Sequence, residues 1–454
     1  MTNQHVNSTD LIAAIATAYG SGAIGIVRIS GSGAGDFLRK IFKPAGTQVK
    51  NFKSHNMYYG HIVDDGQVID EVMICPMIAP RTFTGEDTVE IYAHGGIHVL
   101  DKVLGTVITQ GARLAQPGEF TKRAFLNGRI NLTQAEAVID LINASTDTMR
   151  RASLKQLGGG LSGQITEIRN QLLGWIAHIE LSIDYPEHED EAKNMAQILD
   201  EGQGVIAKLT QLCNTADIGR ILQEGVKTAI VGRPNAGKST LLNAILKEDR
   251  AIVHHTAGTT RDVLTEKVHL GQIPLILMDT AGIRNTNDPI EKIGVEKSRN
   301  AMEDAELVLY MIDSTQGIAP EDEENLRAIA HKEVILLANK YDLADAQDIP
   351  GTINISTKTA QGLPALYQAI EEKFLQGLDS TGDAEIITRQ RHKQLLAQAA
   401  GDITSALQAI EMGMPEDLVS IHLRGAYTSL GEILGLEVSD DILDRIFAEF
   451  CLGK

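Results

Sequence analysis

Gly232-Arg-Pro-Asn-Ala-Gly-Lys-Ser239 has the spacing G-x-x-x-x-G-K-[ST] of a phosphate-binding loop. Glycines at these places let successive backbone N–H groups turn toward phosphate oxygens. Lys238 would reach the β- and γ-phosphates, and the Ser239 hydroxyl would ligate Mg²⁺. Gly232, Asn235, Ala236, Gly237 and Thr240 complete the candidate loop. Its context fits: Ala229-Ile230-Val231 reads as a strand before it, and Leu241, Leu242 and Ile245 as a helix whose positive end faces the phosphates.

Further elements follow in the order that a guanine-nucleotide site requires. In the stretch His254, His255, Thr256, Ala257, Gly258, Thr259 and Thr260, the Thr260 hydroxyl offers a second Mg²⁺ ligand that senses the γ-phosphate. The apolar run Leu275–Met278 ends in Asp279-Thr280-Ala281-Gly282, where Asp279 can orient Mg²⁺ and the Gly282 N–H can meet the γ-phosphate. A second apolar run, Val334–Ala338, ends in Asn339-Lys340-Tyr341-Asp342. The Asp342 carboxylate can accept from the guanine N1–H and 2-amino group, and adenine offers neither donor. Ser356-Thr357-Lys358 would close over the base. The set resembles the TRAFAC-type GTPases and predicts a GTP-hydrolysing domain.

Two details narrow the type. Ile283 stands where Ras-like proteins place the glutamine that orients the attacking water, so another group must do that work. Asn235 lies inside the phosphate loop; in the cation-activated branch of the superfamily such an asparagine ligates K⁺, although a simple turn former is the alternative.

These loops need a scaffold. At about 150 residues per domain, 454 residues suggest about three domains, and 43% hydrophobic with 22% charged residues is an ordinary globular balance. With 41 basic and 60 acidic residues the net charge is −19, which argues against non-specific binding of polyanions. The basic cluster Arg389, Arg391, His392 and Lys393 is one candidate for a local patch that could face a polyanion, a solvated helix start the alternative. Cys75, Cys213 and Cys451 are widely spaced, so neither a disulfide framework nor a zinc site is expected, and a reducing cytoplasm fits. The polar Met1–Asp10 lacks the apolar stretch of a signal peptide, and no apolar run approaches the ~18 residues of a membrane span. Cys451-Leu-Gly-Lys454 fits a prenylation box poorly.

Along the chain, β-branched runs at Ile24–Ile29, Val68–Ile78 and Thr88–Tyr92 predict a mixed α/β region. The pattern then turns helical: Thr133-Gln-Ala-Glu136 has capping-box spacing, Val138, Leu141 and Ile142 follow it, and Leu172, Ile176, Ile179 and Ile183 form a second stripe. Tyr185–Glu191 reads as a solvated acidic loop. Strands and helices alternate from Val226 to about Leu375, predicting a parallel sheet flanked by helices. Helical spacing returns with Leu395, Leu396, Ala399, Ile403, Leu407 and Ile410. The expected fold is multidomain, α/β and all-α. It comprises an N-terminal α/β domain over 1–120, a discontinuous helical domain over 121–217 and 383–454, and a Ras-like P-loop GTPase domain inserted at 218–382.

Gly25-Ile-Val-Arg-Ile-Ser30, Phe83-Thr-Gly-Glu-Asp87, Pro117-Gly-Glu-Phe120, Arg123-Ala-Phe-Leu-Asn127 and the terminal Phe450-Cys-Leu-Gly-Lys454 resemble the MnmE (TrmE) family of tRNA-modification GTPases. The resemblance covers both ends of the chain as well as the insert. It implies a homodimer that works with the FAD-dependent partner MnmG (GidA). Together they would add an aminomethyl or carboxymethylaminomethyl group to C5 of the wobble uridine U34 of certain tRNAs. A tetrahydrofolate derivative, 5-formyl or 5,10-methylene, would supply the one-carbon unit, and FAD would enter only through the partner. Arg28, Glu90, Arg129 and Lys454 carry over as folate-site residues, Arg129 standing where the family often has lysine. Cys451 carries over as a candidate redox or nucleophilic thiol, with a small buried apolar residue as its alternative reading. The K⁺ set is Asn235, His254, Thr256 and Thr259, and Glu291 matches the family's water-positioning carboxylate. A regulatory or ribosome-assembly GTPase without modification chemistry is the rival reading. Such proteins carry a basic RNA-binding domain with a GxxG loop, where this chain ends in helices and Phe-Cys-Leu-Gly-Lys.

Overall fold

The computed structural model describes residues 10–46, 49, 51–184, 191–248, 266–278, 303–375 and 385–454. Two compact units emerge. One is Met1–Ile139 with Gln156–Asn170 and Leu430–Lys454; the other is Asp140–Lys155 with Gln171–Ser429. Among the described residues the helices are α1 (Ala34–Ile41), α2 (Ile97–Thr109), α3 (Glu119–Leu126), α4 (Leu132–Asn143), α5 (Asp147–Leu157), α6 (Gly160–Asp184) and α7 (Glu191–Asn214). They continue with α8 (Ala216–Glu224), α9 (Lys238–Glu248), α10 (Pro320–Ala328), α11 (Leu363–Phe374), α12 (Gln390–Glu411), α13 (Glu416–Leu434) and α14 (Asp440–Ala448).

The β-branched runs of the first unit build a seven-stranded sheet. Its strands are β1 (Ile12–Ile15), β2 (Ile24–Ser30), β3 (Phe42–Pro44), β4 (Tyr58–Asp64), β5 (Gln67–Met77), β6 (Thr88–His94) and β7 (Arg113–Leu114), in the order β3-β4-β5-β6-β2-β1-β7. Successive side chains of a strand point to opposite faces. Val27, Ile29, Val89 and Ile91 therefore share a core with Phe37 and Leu38 of α1 and Val103 and Val107 of α2. Arg28 and Glu90, directly opposite each other in the β2–β6 register, fall on the other face. The chain's last residues join this unit. Leu443, Phe447 and Phe450 pack with Leu132, Ala135 and Ile139 of α4. Gly453 sits at φ +90°, where a Cβ would collide with the Ile15 carbonyl, so only glycine lets the tail lie against β1.

The second unit holds a six-stranded sheet of β8 (Val226–Gly232), β9 (Glu266–Leu270), β10 (Ile273–Leu277), β11 (Leu307–Asp313), β12 (Glu333–Asn339) and β13 (Ile353–Asn354), in the order β13-β12-β11-β8-β10-β9. All neighbours are parallel except β9 with β10. β11 is buried along all seven residues, as a central strand covered on both faces must be. One face packs Leu241, Leu242 and Ile245 of α9 and Leu366 and Ile370 of α11; the other packs Val308, Tyr310 and Ile312 against Ile329. In the helical part of this unit α12 packs on α7.

Several local expectations shift. The cap of α4 is Asn131 with Gln134, not Thr133 with Glu136. Asn131 Oδ1 accepts from the Gln134 N–H at 3.0 Å, and Gln134 Oε1 accepts from the Asn131 N–H at 3.0 Å. Thr133 and Glu136 are buried inside the helix instead. Leu172, Ile176 and Ile179 are buried, but Ile183, at the end of α6, and Ile142 are exposed. The acidic stretch 185–190 lies outside the described residues, and α7 already begins at Glu191. The basic cluster at the start of α12 is not an open patch. The Arg389 guanidinium donates to Asp140 at 2.6 Å, Lys393 pairs with Asp217 at 2.8 Å, and His392 is fully buried.

Candidate functional site

Parallel strands β8, β11 and β12 end side by side, with Gly232 opposite Met311 and Asp313 opposite Asn339. Ligands of open α/β sheets bind outside these carboxyl ends, and the loops that follow β8 and β12 lie there. The turn after β8 carries Asn235 at φ +63°, exposed, and Gly237 at φ +105°. A Cβ on Gly237 would collide with the Asn339 side-chain amide, so the glycine is needed for contact between the phosphate and base loops. That amide donates to the Ala236 carbonyl at 2.7 Å, while Asn339 Oδ1 accepts from the Thr357 N–H at 3.1 Å. Asn339 thus ties three motif loops together through backbone atoms.

Lys238 opens α9 with its ammonium on the Gly232 carbonyl at 2.6 Å and the Arg233 carbonyl at 2.8 Å. Burial pulls its pKa below the ordinary lysine value. On the base side the Ser356 hydroxyl donates to Asp342 Oδ1 at 2.8 Å, and Lys340 reaches Asp313 Oδ2 at 2.6 Å. The structure brings Gly232, Asn235, Ala236, Gly237, Lys238, Ser239 and Thr240 into one loop and helix start, with Asn339, Lys340, Asp342, Ser356, Thr357 and Lys358 in the adjoining loops. The expectations for residues 254–260, for Asp279, Thr280, Ala281 and Gly282, and for Glu291 lie outside the described residues.

The motif reading missed two carboxylates in this region. Asp313 terminates the buried run of β11 and holds Lys340; Thr315 Oγ1 also donates to it, at 2.8 Å. Burial pushes its pKa up, but the Lys340 ammonium and the two Thr315 donors together outweigh it and leave the carboxyl below its ordinary value. Asp322, fully buried, faces Arg233. An aspartate closing an apolar strand at the carboxyl edge of a parallel sheet is a readable signal for the first; Asp322, within an acidic helix start, offers none.

In the first unit, Arg28 donates through Nε at 3.0 Å and Nη2 at 2.8 Å to Glu90 Oε1. Both side chains are mostly buried, 15% and 16% exposed, so the charges need each other. Arg28 Nη1 also donates to the Gly453 carbonyl at 3.2 Å, and Tyr92 donates to Glu90 Oε2 at 2.7 Å. The phenol is pushed up to about 12, mainly by burial and then by that carboxylate. Lys454 follows Gly453, and its pKa is lowered by burial and by the Arg28 charge, partly offset by Glu90 and Cys451. Arg129 stands apart from these hydrogen bonds: it donates to the Phe83 carbonyl at 2.5 Å and lies over the Phe83 ring. Phe83 packs against the small apolar cluster of Ile12, Ala14, Ala115 and Phe120, and Arg28 lies over the Phe120 ring. Cys451 is exposed, which removes its reading as a small buried apolar residue.

A family model described as "MnmE helical domain" matches residues 132–451, and one described as "GTP-binding protein TrmE N-terminus" matches residues 11–129. The chain is 46% identical over 461 residues to a protein named "tRNA modification GTPase MnmE" from Lactobacillus delbrueckii subsp. bulgaricus, covering 99% of this chain and all of that one. Proteins of the same name match similarly in Bacillus cereus, 46% identical over 457 residues, and Finegoldia magna, 45% over 451, each covering 98% of this chain. They are matched over 99% and 100% of their own lengths. Among solved structures, Aquifex aeolicus Era bound to GDP and aluminium fluoride is 30% identical over 32% of this chain and 55% of that one, with a TM-score of 0.24. That superposition is too partial to bear on the fold.

Proposed function

The chain belongs to the MnmE family of tRNA modification GTPases, and from that premise we propose how its two sites divide the work. The GTP hydrolase of residues 218–382 acts in tRNA modification as a K⁺-dependent enzyme. Ser239, Thr260 and Asp279 manage Mg²⁺; Asn235 with His254, Thr256 and Thr259 holds K⁺ beside the β/γ-phosphates; Glu291 positions the attacking water. Asp342 selects guanine. Residues 1–120 form the folate-binding and dimerisation domain, and 121–217 with 383–454 the helical domain. The homodimer acts in the cytoplasm with MnmG, on the wobble uridine U34 of certain tRNAs.

The observation that carries this reading is the meeting of Arg28 and Glu90 with the chain's last residues, since Arg28 bonds both Glu90 and the Gly453 carbonyl. The donor set suits a tetrahydrofolate. Glu90 has acceptor capacity left for pterin N–H groups, and Arg129 and the desolvated Lys454 suit its glutamate carboxylates. When bound, the folate would supply the one-carbon unit. Glu90 would orient it, the tail would limit water, and the exposed Cys451 would stand beside it as a thiol.

Reconstitution with MnmG, tRNA, methylene-tetrahydrofolate and GTP, followed by nucleoside mass analysis, tests the whole reading. A modified U34 is expected in K⁺. GTP hydrolysis without any modified uridine would favour the rival reading, a regulatory GTPase. Equal hydrolysis in matched K⁺ and Na⁺ buffers would rule out the cation mechanism, because a ring of oxygens replacing a hydration shell is selective for ion size. Tight tRNA binding by the isolated acidic chain at high salt would contradict the dependence on its partner.

A further inference from the structure

Arg233 occupies a variable position of the phosphate-loop motif, yet its side chain is held on three sides. Nε lies 2.9 Å from Asp322 Oδ2, Nη2 donates to the Gly317 carbonyl at 2.8 Å, and Nη1 reaches Gln316 Oε1 at 3.4 Å. Asp322 is fully buried and satisfied on both oxygens: Oδ1 accepts from the Tyr310 hydroxyl at 3.0 Å, and Oδ2 also accepts from the Ala319 N–H at 2.9 Å. The Arg233 carbonyl in turn receives the Lys238 ammonium. A continuous path therefore runs from a buried carboxylate, through the guanidinium and its own backbone, to the lysine that would meet the phosphates.

Helix capping alone does not account for this arrangement. The Ala319 N–H needs only one acceptor at the start of α10, which a neutral side chain can supply. Burying a full charge is costly unless it is paired, and an apolar replacement of a buried pair is often neutral or stabilising. The pair therefore gains its sense from what it orients, the first turn of the loop. We propose that Asp322 is a positioning residue for GTP: through Arg233 it fixes the phosphate loop in the shape that presents Lys238 to the triphosphate. The inference rests on the GTP-site reading and extends it to a segment, 313–322, that carries none of the recognised motifs.

The test uses full-length Asp322→Asn, Arg233→Met, Arg233→Lys and the double variant Asp322→Asn/Arg233→Met. Fluorescent GDP and GTP are titrated, and KM and kcat are measured. Asp322→Asn can keep an acceptor for the helix cap while removing the charge, its amide nitrogen replacing one of the two accepting oxygens. Asp322→Asn and Arg233→Met are each expected to weaken both nucleotides about tenfold, because the loop grips the β-phosphate common to both. Arg233→Lys should recover part of the loss, and the double variant should be no weaker than either single one. Preference for GTP over xanthosine triphosphate should not change, because Asp342 is untouched. Wild-type affinity in Asp322→Asn, or losses that multiply in the double variant, would overturn the proposal. If Asp322→Asn fails to fold, the partly solvated Arg233→Met carries the test, and wild-type affinity there overturns it equally. A wild-type protein that binds no guanine nucleotide would overturn the underlying site reading instead.

Discussion

The two candidate sites use opposite building strategies. Around β8 and β12 the nucleotide loops are contiguous stretches that hold one another largely through backbone atoms, as where Asn339 bonds the Ala236 carbonyl and the Thr357 N–H. Around β2 and β6 the site hangs on single side chains, with Arg28 bonding the Glu90 carboxylate 62 residues away and the Gly453 carbonyl 425 residues away in sequence. A backbone-built site tolerates much side-chain change but depends on a few residues that face the ligand. A side-chain site has no such reserve, and each member also supports the fold around it.

The sharpest way to break the comparison is at the loops. Lys238→Ala should reduce GTP hydrolysis about a thousandfold, as removal of one preorganised charge partner typically does, with little change in thermal stability. Steady-state rates and a melting curve check both halves; an active or an unfolded variant would show that the site is not organised as described. Asp342→Asn should next reverse base choice, since an amide cannot accept from both guanine donors, and should shift preference toward xanthine nucleotides by about a hundredfold. Competition between the two triphosphates reads it directly, and unchanged selectivity would remove Asp342 from the base site.

The first unit should behave differently. Glu90→Gln leaves the mostly buried Arg28 without its ionic partner, so binding and stability should fall together, with a cost of about 1–3 kcal/mol. Denaturant unfolding alongside titration with 5-formyl-tetrahydrofolate separates the outcomes. A variant as stable as the wild type but unable to bind would make Glu90 purely a ligand contact and erase the contrast between the sites.

Legibility follows the same division. The phosphate loop, the base loop and the strands that aim them are local features, and the alternation of strands and helices predicts the parallel sheet that the second unit contains. The Arg28–Glu90 pair could not be found by spacing, because only cross-strand register makes the two residues neighbours. Only the family resemblance marks the two residues in the sequence. Asp322 was invisible for a related reason: in sequence it is one of several acids at the start of α10, and only burial distinguishes it. The misplaced cap of α4 shows the limit of a local motif. Thr133-x-x-Glu136 and Asn131-x-x-Gln134 compete for the same turn, and burial of Thr133 and Glu136 decides between them.

The smallest expected effect sharpens the comparison through two lysines. Lys238 and Lys454 each have a pKa below the 10.5 of free lysine, in both cases chiefly from burial. In the free protein each loses its proton between that lowered value and 10.5, while the unfolded chain keeps it. The unfolded state then binds more protons across that window, so folding stability gains as pH rises through it. Anion binding carries the opposite sign. A phosphate or carboxylate favours the charged lysine, so binding takes up a proton and affinity falls as pH rises through the same window. For Lys238 the conflict is with burial alone, and the decline in GDP affinity should be simple and severalfold. For Lys454 the Arg28 charge adds to burial while Glu90 and Cys451 oppose it, so Glu90→Gln should move the folate profile to lower pH and leave the GDP profile in place. Titrating both ligands against pH in the wild type and in Glu90→Gln tests this. A GDP profile that moves with Glu90, or a folate profile that does not, would break the assignment of Lys454 to the N-terminal site.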